Sequence, residues 1–139
     1  MKKFDRNQQW SASKKFKQES IFPESANLQK PKISFEFLNG KYCISKCGSR
    51  EKAQVIDTLH RISQSTWQEL IQLGKNGSGY EQFSRKQLRC HIPDTEIFQN
   101  RDKVTIFHRK DKIPIVGFRI GETFYIFCVD RDFTAYKHE

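Results

Sequence analysis

No apolar run in this sequence approaches the roughly 20 residues that a membrane-spanning helix needs. Lys2 and Lys3 are followed by polar residues where a signal peptide would carry its apolar segment. The expected location is therefore the cytoplasm, away from any membrane, and the four cysteines are expected as thiols. The loops that announce common catalytic chemistries are also missing. There is no phosphate-binding glycine loop, no dinucleotide fingerprint and no His-Glu-x-x-His. Gly77-Ser78-Gly79 lacks the strand before and the helix after that make a nucleophile elbow. Acidic residues are in deficit: 16 Asp+Glu face 25 Lys+Arg, for a formal charge of +9 and a pI near 9.5. Such a surplus draws anionic partners by Coulomb attraction and counterion release, nucleic acid among them. Without a partner it serves solubility.

A length of 139 residues suits one domain plus an appendage. Twelve Phe make a core built more on aromatic rings than on Leu. Residues 1–31 differ from the rest, with seven cationic against three acidic side chains and sparse, irregularly placed apolar residues. Such a segment cannot bury enough surface to offset its ordering entropy. It reads either as a partner-binding arm or as a flexible basic leader. Trp10, Phe16 and Phe22 are its anchors for a protein partner, and Lys14, Lys15 and Lys17 its contacts to nucleic acid.

A single α+β domain is expected over 32–139. Ile33-Ser-Phe35-Glu-Phe37 alternates as a half-buried strand does, and Asn39-Gly40 predicts a type I′ hairpin returning through Tyr42-Cys-Ile44. Val55, Ile56, Leu59 and Ile62 fall at helical spacing behind Ser49 as N-cap. A second helix follows closely, with Ser65-x-x-Gln68 as capping box, Trp67, Leu70 and Ile71 as its stripe and Gly74 as its C-cap. Residues 83–93 are ambiguous: Ser84-x-x-Gln87 caps a short helix, whereas Leu88, Cys90 and Ile92 alternate like a strand. A meander closes the chain through 104–109, 113–120 and 123–129. Its last strand is apolar on both faces and hence central. The expected architecture is an antiparallel sheet, made of an N-terminal strand or hairpin plus the meander, covered on one face by a helical hairpin.

Cys43-x-x-x-Cys47 with Cys90-His91 would supply four zinc ligands. However, Cys43 falls in an expected strand, no second tight pair follows and Cys128 reads as core, so no metal site and no cofactor are expected. Asp130 and Asp132 flank Arg131 as a salt-bridged turn. The remaining polar set is cationic and aromatic: Arg85, Lys86, Arg89, His91, His108, Arg109, Arg119, Tyr136 and His138. Arg85, Lys86, Arg89 and His91 are assigned to nucleic-acid binding. Arg109 and Arg119 are expected near one another on adjacent strands, beside a gap left by Gly117 for a ligand backbone. Phosphodiester cleavage needs no metal if cations stabilise the phosphorane while one side chain takes the 2′-OH proton and another protonates the leaving oxygen. Tyr136 and His138 are the candidates, their pKa values lowered by the positive field. Otherwise these arginines are solvated sheet-face residues and the terminal pair is frayed.

The element order from Ile33 to His138, with Arg on the meander and Tyr or His at its end, resembles the RelE/ParE-like toxin superfamily. The likeness covers about three quarters of the chain, in topology and residue type only. In the RNA-cleaving members, strand-borne Arg and Lys hold phosphate while a C-terminal Tyr or His transfers protons without metal. The resemblance therefore implies Arg109 and Arg119 as phosphate binders and Tyr136 and His138 as the acid–base pair of a toxin-type endoribonuclease. The basic leader, and Asp130 and Asp132 beside the site, depart from that pattern. The stretch from Gly117 to Asp130 also resembles small prokaryotic proteins of mobile and defence regions. The alternative function is a non-catalytic nucleic-acid- or protein-binding subunit of a defence or toxin–antitoxin assembly, docked through its arm.

Overall fold

The structure, a computed structural model, describes residues 26–137. Trp10, Lys14, Lys15, Phe16, Lys17, Phe22 and His138 lie outside the described residues, and so do the roles expected of them. The elements are β1 (Lys32–Ser34), α1 (Ser49–Ile62), α2 (Trp67–Gly77), β2 (Tyr80–Ser84), β3 (Lys103–Phe107), β4 (Ile115–Ile120) and β5 (Thr123–Val129), joined in places by single 3-10 turns. The five strands form one sheet in the order β1-β5-β4-β3-β2, an α+β fold with two helices packed on it. No described helix is long and apolar enough to cross a membrane.

Local chemistry explains the helices. In α1 the Glu51 carboxylate accepts the Gly48 N–H at 2.7 Å, so the cap falls one residue before Ser49. In α2 the reciprocal pair is Thr66 with Glu69, at 3.1 and 2.8 Å, again one residue from the expected position. Gly74 does end the regular turns, with φ +65, a conformation that costs glycine little. Val55, Leu59, Ile62, Trp67 and Leu70 are buried, whereas Ile56 points outward at 51% exposure. The capping signal at Ser84 and Gln87 is also real, but the helix it opens is a single 3-10 turn, Arg85–Gln87.

The Asn39-Gly40 hairpin does not form. A type I′ turn needs positive φ at both central residues; Gly40 has φ +75, but Asn39 sits at −154. The glycine instead opens a 3-10 turn, with the Cys43 N–H donating to the Gly40 carbonyl, and a second such turn spans Ile44–Lys46. β1 finds its partner elsewhere. It pairs in parallel with β5, Ile33 opposite Phe124, so the sheet is mixed rather than wholly antiparallel.

Two cores lie on the two faces of the sheet. The helical face gathers Val55, Leu59, Ile62, Trp67 and Leu70 against Phe107, Ile115, Phe124, Ile126 and Val129. Rings of Trp67, Phe107 and Phe124 meet there with centroids 5.4–6.1 Å apart. On the other face Phe98, Val104, Ile106, Val116, Phe118, Phe127 and Cys128 pack under irregular chain, including Ala135 and Tyr136. β5 is covered on both faces, as its composition predicts, but it lies between β1 and β4, and the middle strand of the sheet is β4. The alternation of β5 is broken by a bulge: Val116 pairs with Cys128 but Gly117 pairs with Ile126, leaving Phe127 as the extra residue. Beyond it Cys128 changes face and joins Phe127, and Val129 joins Phe124 and Ile126.

Candidate functional site

The register separates the expected arginine pair. Thr105 lies opposite Gly117 and Phe107 opposite Ile115, which puts Arg109 and Arg119 at opposite ends of β3 and β4. Six residues of strand between them amount to roughly 20 Å. Arg119 pairs across the sheet with Phe124 and so belongs to the helical face. Its guanidinium lies 4.3 Å from the centroid of the Trp67 ring, Nε donates to the Gly121 carbonyl at 2.8 Å and Nη2 donates to Asn27 Oδ1. These contacts hold the turn and residues 26–31 onto the helical face. Tyr136 packs on the opposite face, so the sheet stands between the two residues expected to cooperate. The gap at Gly117 is filled as well: a Cβ there would come within 2.3 Å of the Tyr125 carbonyl oxygen and 2.8 Å of the Phe124 ring.

The other cations divide into structural and exposed sets. Arg85 donates to the carbonyls of Phe98 and Arg101 at 2.8 and 2.9 Å and lies over the Phe118 ring, fastening the segment before β3. Lys86, Arg89 and His91 are exposed. Arg109 lines a cavity of ≈ 210 Å³ together with Asp57, Arg61 and Lys112. Burial first, then the Arg109 charge, lowers the Arg61 pKa from its ordinary value. The thiols do not converge as ligands would, since Cys47 belongs to the helical core and Cys90 to the opposite one.

A cleft of ≈ 690 Å³ lies on the loop-covered side, at the β2 edge of the sheet. β2 turns Glu81 and Phe83 toward it by strand alternation, and His108, two residues beyond Ile106, enters from the end of β3. The C-terminal turn supplies Phe133, Tyr136 and Lys137. Lys75 from the end of α2, 3.9 Å from the Glu81 carboxylate, and Lys110 from the β3–β4 turn complete a set of three lysines, with Asp111 beside Lys110.

Two groups meet inside. The Tyr136 hydroxyl is 3.2 Å from His108 Nδ1, and the Tyr136 ring meets Phe83 edge-on with centroids 5.0 Å apart. Phe133 lies beside the imidazole at 5.8 Å, in a left-handed conformation (φ +57) that turns its ring outward at 43% exposure. Tyr136 is itself only 2% exposed. Burial, followed by the charges of Glu81 and Asp130, pushes its phenol well above the ordinary tyrosine value. This reverses the expected lowering: burial and the charges of carboxylates, not those of cations, act on the phenol. Tyr136 keeps its proton at neutral pH.

The turn that carries Tyr136 is built by Asp130. Its buried carboxylate accepts the Thr134 N–H at 2.8 Å and the Ala135 N–H at 3.1 Å to both oxygens. Of the expected salt-bridged turn, Arg131 and Asp132 pair at 3.5 Å. An antiparallel bridge between Leu88 and Tyr136, with the Arg89 N–H on the Ala135 carbonyl, seats the turn against the segment after β2.

Sequence reasoning selected Tyr136 and named His108 without a role for it. It missed Lys75, Glu81, Lys110, Phe133 and Lys137. Lys110 was readable as a turn residue following an alternating strand, but nothing in the sequence brings residue 75 to residue 137. Comparison of the chain with protein-family models, curated protein sequences and solved structures found no match. The site is therefore read from its chemistry alone.

Proposed function

We propose that the protein binds single-stranded nucleic acid, RNA foremost, across the cleft at the β2 edge. The observation that carries this reading is the set of Lys75, Lys110 and Lys137 on the rim of a cavity that also presents the Phe133 ring. Backbone phosphates are held by the lysines and a base stacks on Phe133, the combination by which single strands are bound with little sequence preference. The formal charge of +9 adds long-range attraction. Fluorescence anisotropy with a labelled RNA oligonucleotide over a salt series tests it. Lys110→Ala and Lys137→Ala should each flatten the slope of log affinity against log salt by about 0.7. Phe133→Ala should cost about 1–3 kcal/mol of binding at every salt concentration. Wild-type affinity that ignores salt, or triple-lysine and Phe133 variants that bind as wild type does, would overturn the reading.

The hydrogen bond between Tyr136 and His108 favours a second reading, metal-independent RNA cleavage of toxin type. His108 takes the 2′-OH proton at Nε2, its Nδ1–H donating to the Tyr136 oxygen, as the 2′-oxygen attacks phosphorus; the rim lysines stabilise the phosphorane, and the bond to the 5′-oxygen breaks as a lysine ammonium protonates it. Arg119, engaged by Trp67, Gly121 and Asn27, has no part in it. RNA incubated in chelator with wild type or His108→Ala decides the matter. Cleavage by wild type alone supports catalysis, and intact RNA in both leaves the protein as a binding module.

A further inference from the structure

We propose that the cavity of ≈ 210 Å³ between α1 and the β3–β4 turn is a binding site for the phosphate of a phosphate monoester. Its residues come from two places by two local rules. Gln54, Thr58 and Arg61 follow one another at spacings of four and three along one face of α1. Arg109, two residues beyond Phe107 of the helical core, leaves the end of β3 toward that same side, and Lys112 follows in the turn. Main-chain groups hold these pieces in place. Arg61 Nη1 donates to the Ser78 carbonyl at 3.0 Å, and the stem of Arg109 packs on the adjacent Gly79, where a Cβ would come within 3.0 Å of Arg109 Cγ. The Ile113 N–H, just past Lys112, donates to Gln54 Oε1 at 2.6 Å and fixes the turn against the helix.

The charges on this cavity do not balance. Three cations line it against one carboxylate, Asp57, which leaves two positive charges on a small space. Among the described residues Asp57 forms no ion pair with any of the three, and the side chains of Arg109 and Lys112 make no hydrogen bond or ion pair. The Arg109 charge acts against that of Arg61, a repulsion that an anion bound in the cavity would relieve. A phosphate monoester carries a charge of about −1.5 to −2 at neutral pH, and guanidinium forks match the geometry of its oxygens. The Gln54 NH2 group, left over once Oε1 has accepted from Ile113, adds a neutral donor. The volume is below the roughly 300–1,000 Å³ of pockets that enclose a whole small molecule, so the phosphate enters and the rest of its carrier stays outside. The β3–β4 turn separates this site from the RNA cleft: Lys110 and Asp111 line the cleft, Arg109 and Lys112 the cavity. The carrier is thus a small phosphorylated molecule or the phosphorylated end of a strand, and the site stands whether or not the cleft binds RNA.

The test titrates the full chain, in buffer free of phosphate and sulfate, with glycerol 3-phosphate by isothermal titration calorimetry. Dimethyl phosphate, which carries one charge, is the control. The expected result is saturable binding of the monoester, at least about tenfold tighter than that of the diester. Arg109 and Lys112 are exposed, so Arg109→Ala and Lys112→Ala should fold, as circular dichroism verifies. Each should weaken monoester binding about tenfold, the loss of one charge-assisted hydrogen bond. Asp57→Asn should strengthen it, because a carboxylate no longer faces the anion. RNA strands of one sequence, phosphorylated at the 5′ end, at the 3′ end or at neither, identify the carrier. A gain from a terminal phosphate that Arg109→Ala abolishes assigns the strand end; no such gain, with glycerol 3-phosphate bound, assigns a small phosphorylated molecule. No saturable monoester binding at millimolar concentration, dimethyl phosphate bound as tightly, or an affinity unchanged in both cation variants would each overturn the proposal.

Discussion

Replacing Asp130 by Ala isolates the connection between the sheet and the cleft. The carboxylate is fully buried and accepts the Thr134 and Ala135 N–H groups, the latter shared between both oxygens. Removing it strands one buried donor, at about 1–3 kcal/mol, and one part-buried donor at the lower end of that range. The sum, about 2–4 kcal/mol, is a large part of the stability of a domain of this size. Main-chain bonds of the same turn remain, among them Asp130 N–H to the Pro114 carbonyl and Phe133 N–H to the Asp130 carbonyl, so the turn should loosen rather than vanish. A buried carboxylate also carries a desolvation cost that opposes its hydrogen bonds. Asp130→Asn separates the two effects, because it keeps one acceptor oxygen and removes the charge. Urea unfolding should rank wild type above Asn and Asn above Ala. RNA affinity should fall in the same order, since Phe133, Tyr136 and Lys137 depend on this turn for their positions. Asn more stable than wild type would show that desolvation dominates. Ala within about 0.5 kcal/mol of wild type would refute the claim that the carboxylate holds the turn.

Two other substitutions probe the two faces. Arg119→Ala should lower stability by about 1–3 kcal/mol, from the lost contact with Trp67 and two hydrogen bonds, and leave RNA affinity unchanged; an affinity loss at full stability would return Arg119 to the site. Tyr136 titrates above the ordinary tyrosine value, so the folded state holds its proton after the unfolded chain has released it. Its contribution is therefore complete below about pH 10 and declines at higher pH by up to about 1.4 kcal/mol per unit. Tyr136→Phe should weaken the alkaline loss of stability measured by urea unfolding, and an unchanged alkaline profile would count against the buried phenol. Tyr80 is raised by burial too and accounts for part of the remaining slope.

Legibility in the sequence followed the range of the interaction. Helices and meander strands depend on side chains a few residues apart, and they were found with boundaries off by a residue or two. The positive φ at Gly40 was rightly anticipated, but the turn it serves was not, because β1 pairs in the more distant β5 and Asn39 is left extended. Arg119 looked like an uncommitted cation because Trp67 and Asn27, which engage it, come from far along the chain. The bulge that turns Cys128 to the loop-covered face has no signature in a run where every residue is apolar. The cleft was half legible: Tyr136 stood out by position, whereas its lysines arrive from three separate elements.

The Glu122 carbonyl accepts both the Lys32 N–H at 3.0 Å and the Trp67 Nε1–H at 2.9 Å. A single peptide group in the β4–β5 turn thus ties down the first strand and the opening of the second helix. During synthesis β1 and Trp67 emerge long before this group exists, so neither can reach its final place until the turn is made. A chain stalled before residue 122 would carry a large aromatic ring and an unpaired strand with nothing to receive them, which is a state prone to aggregation. The β4–β5 hairpin, local in sequence and quick to close, is then the step that releases the rest of the molecule to fold.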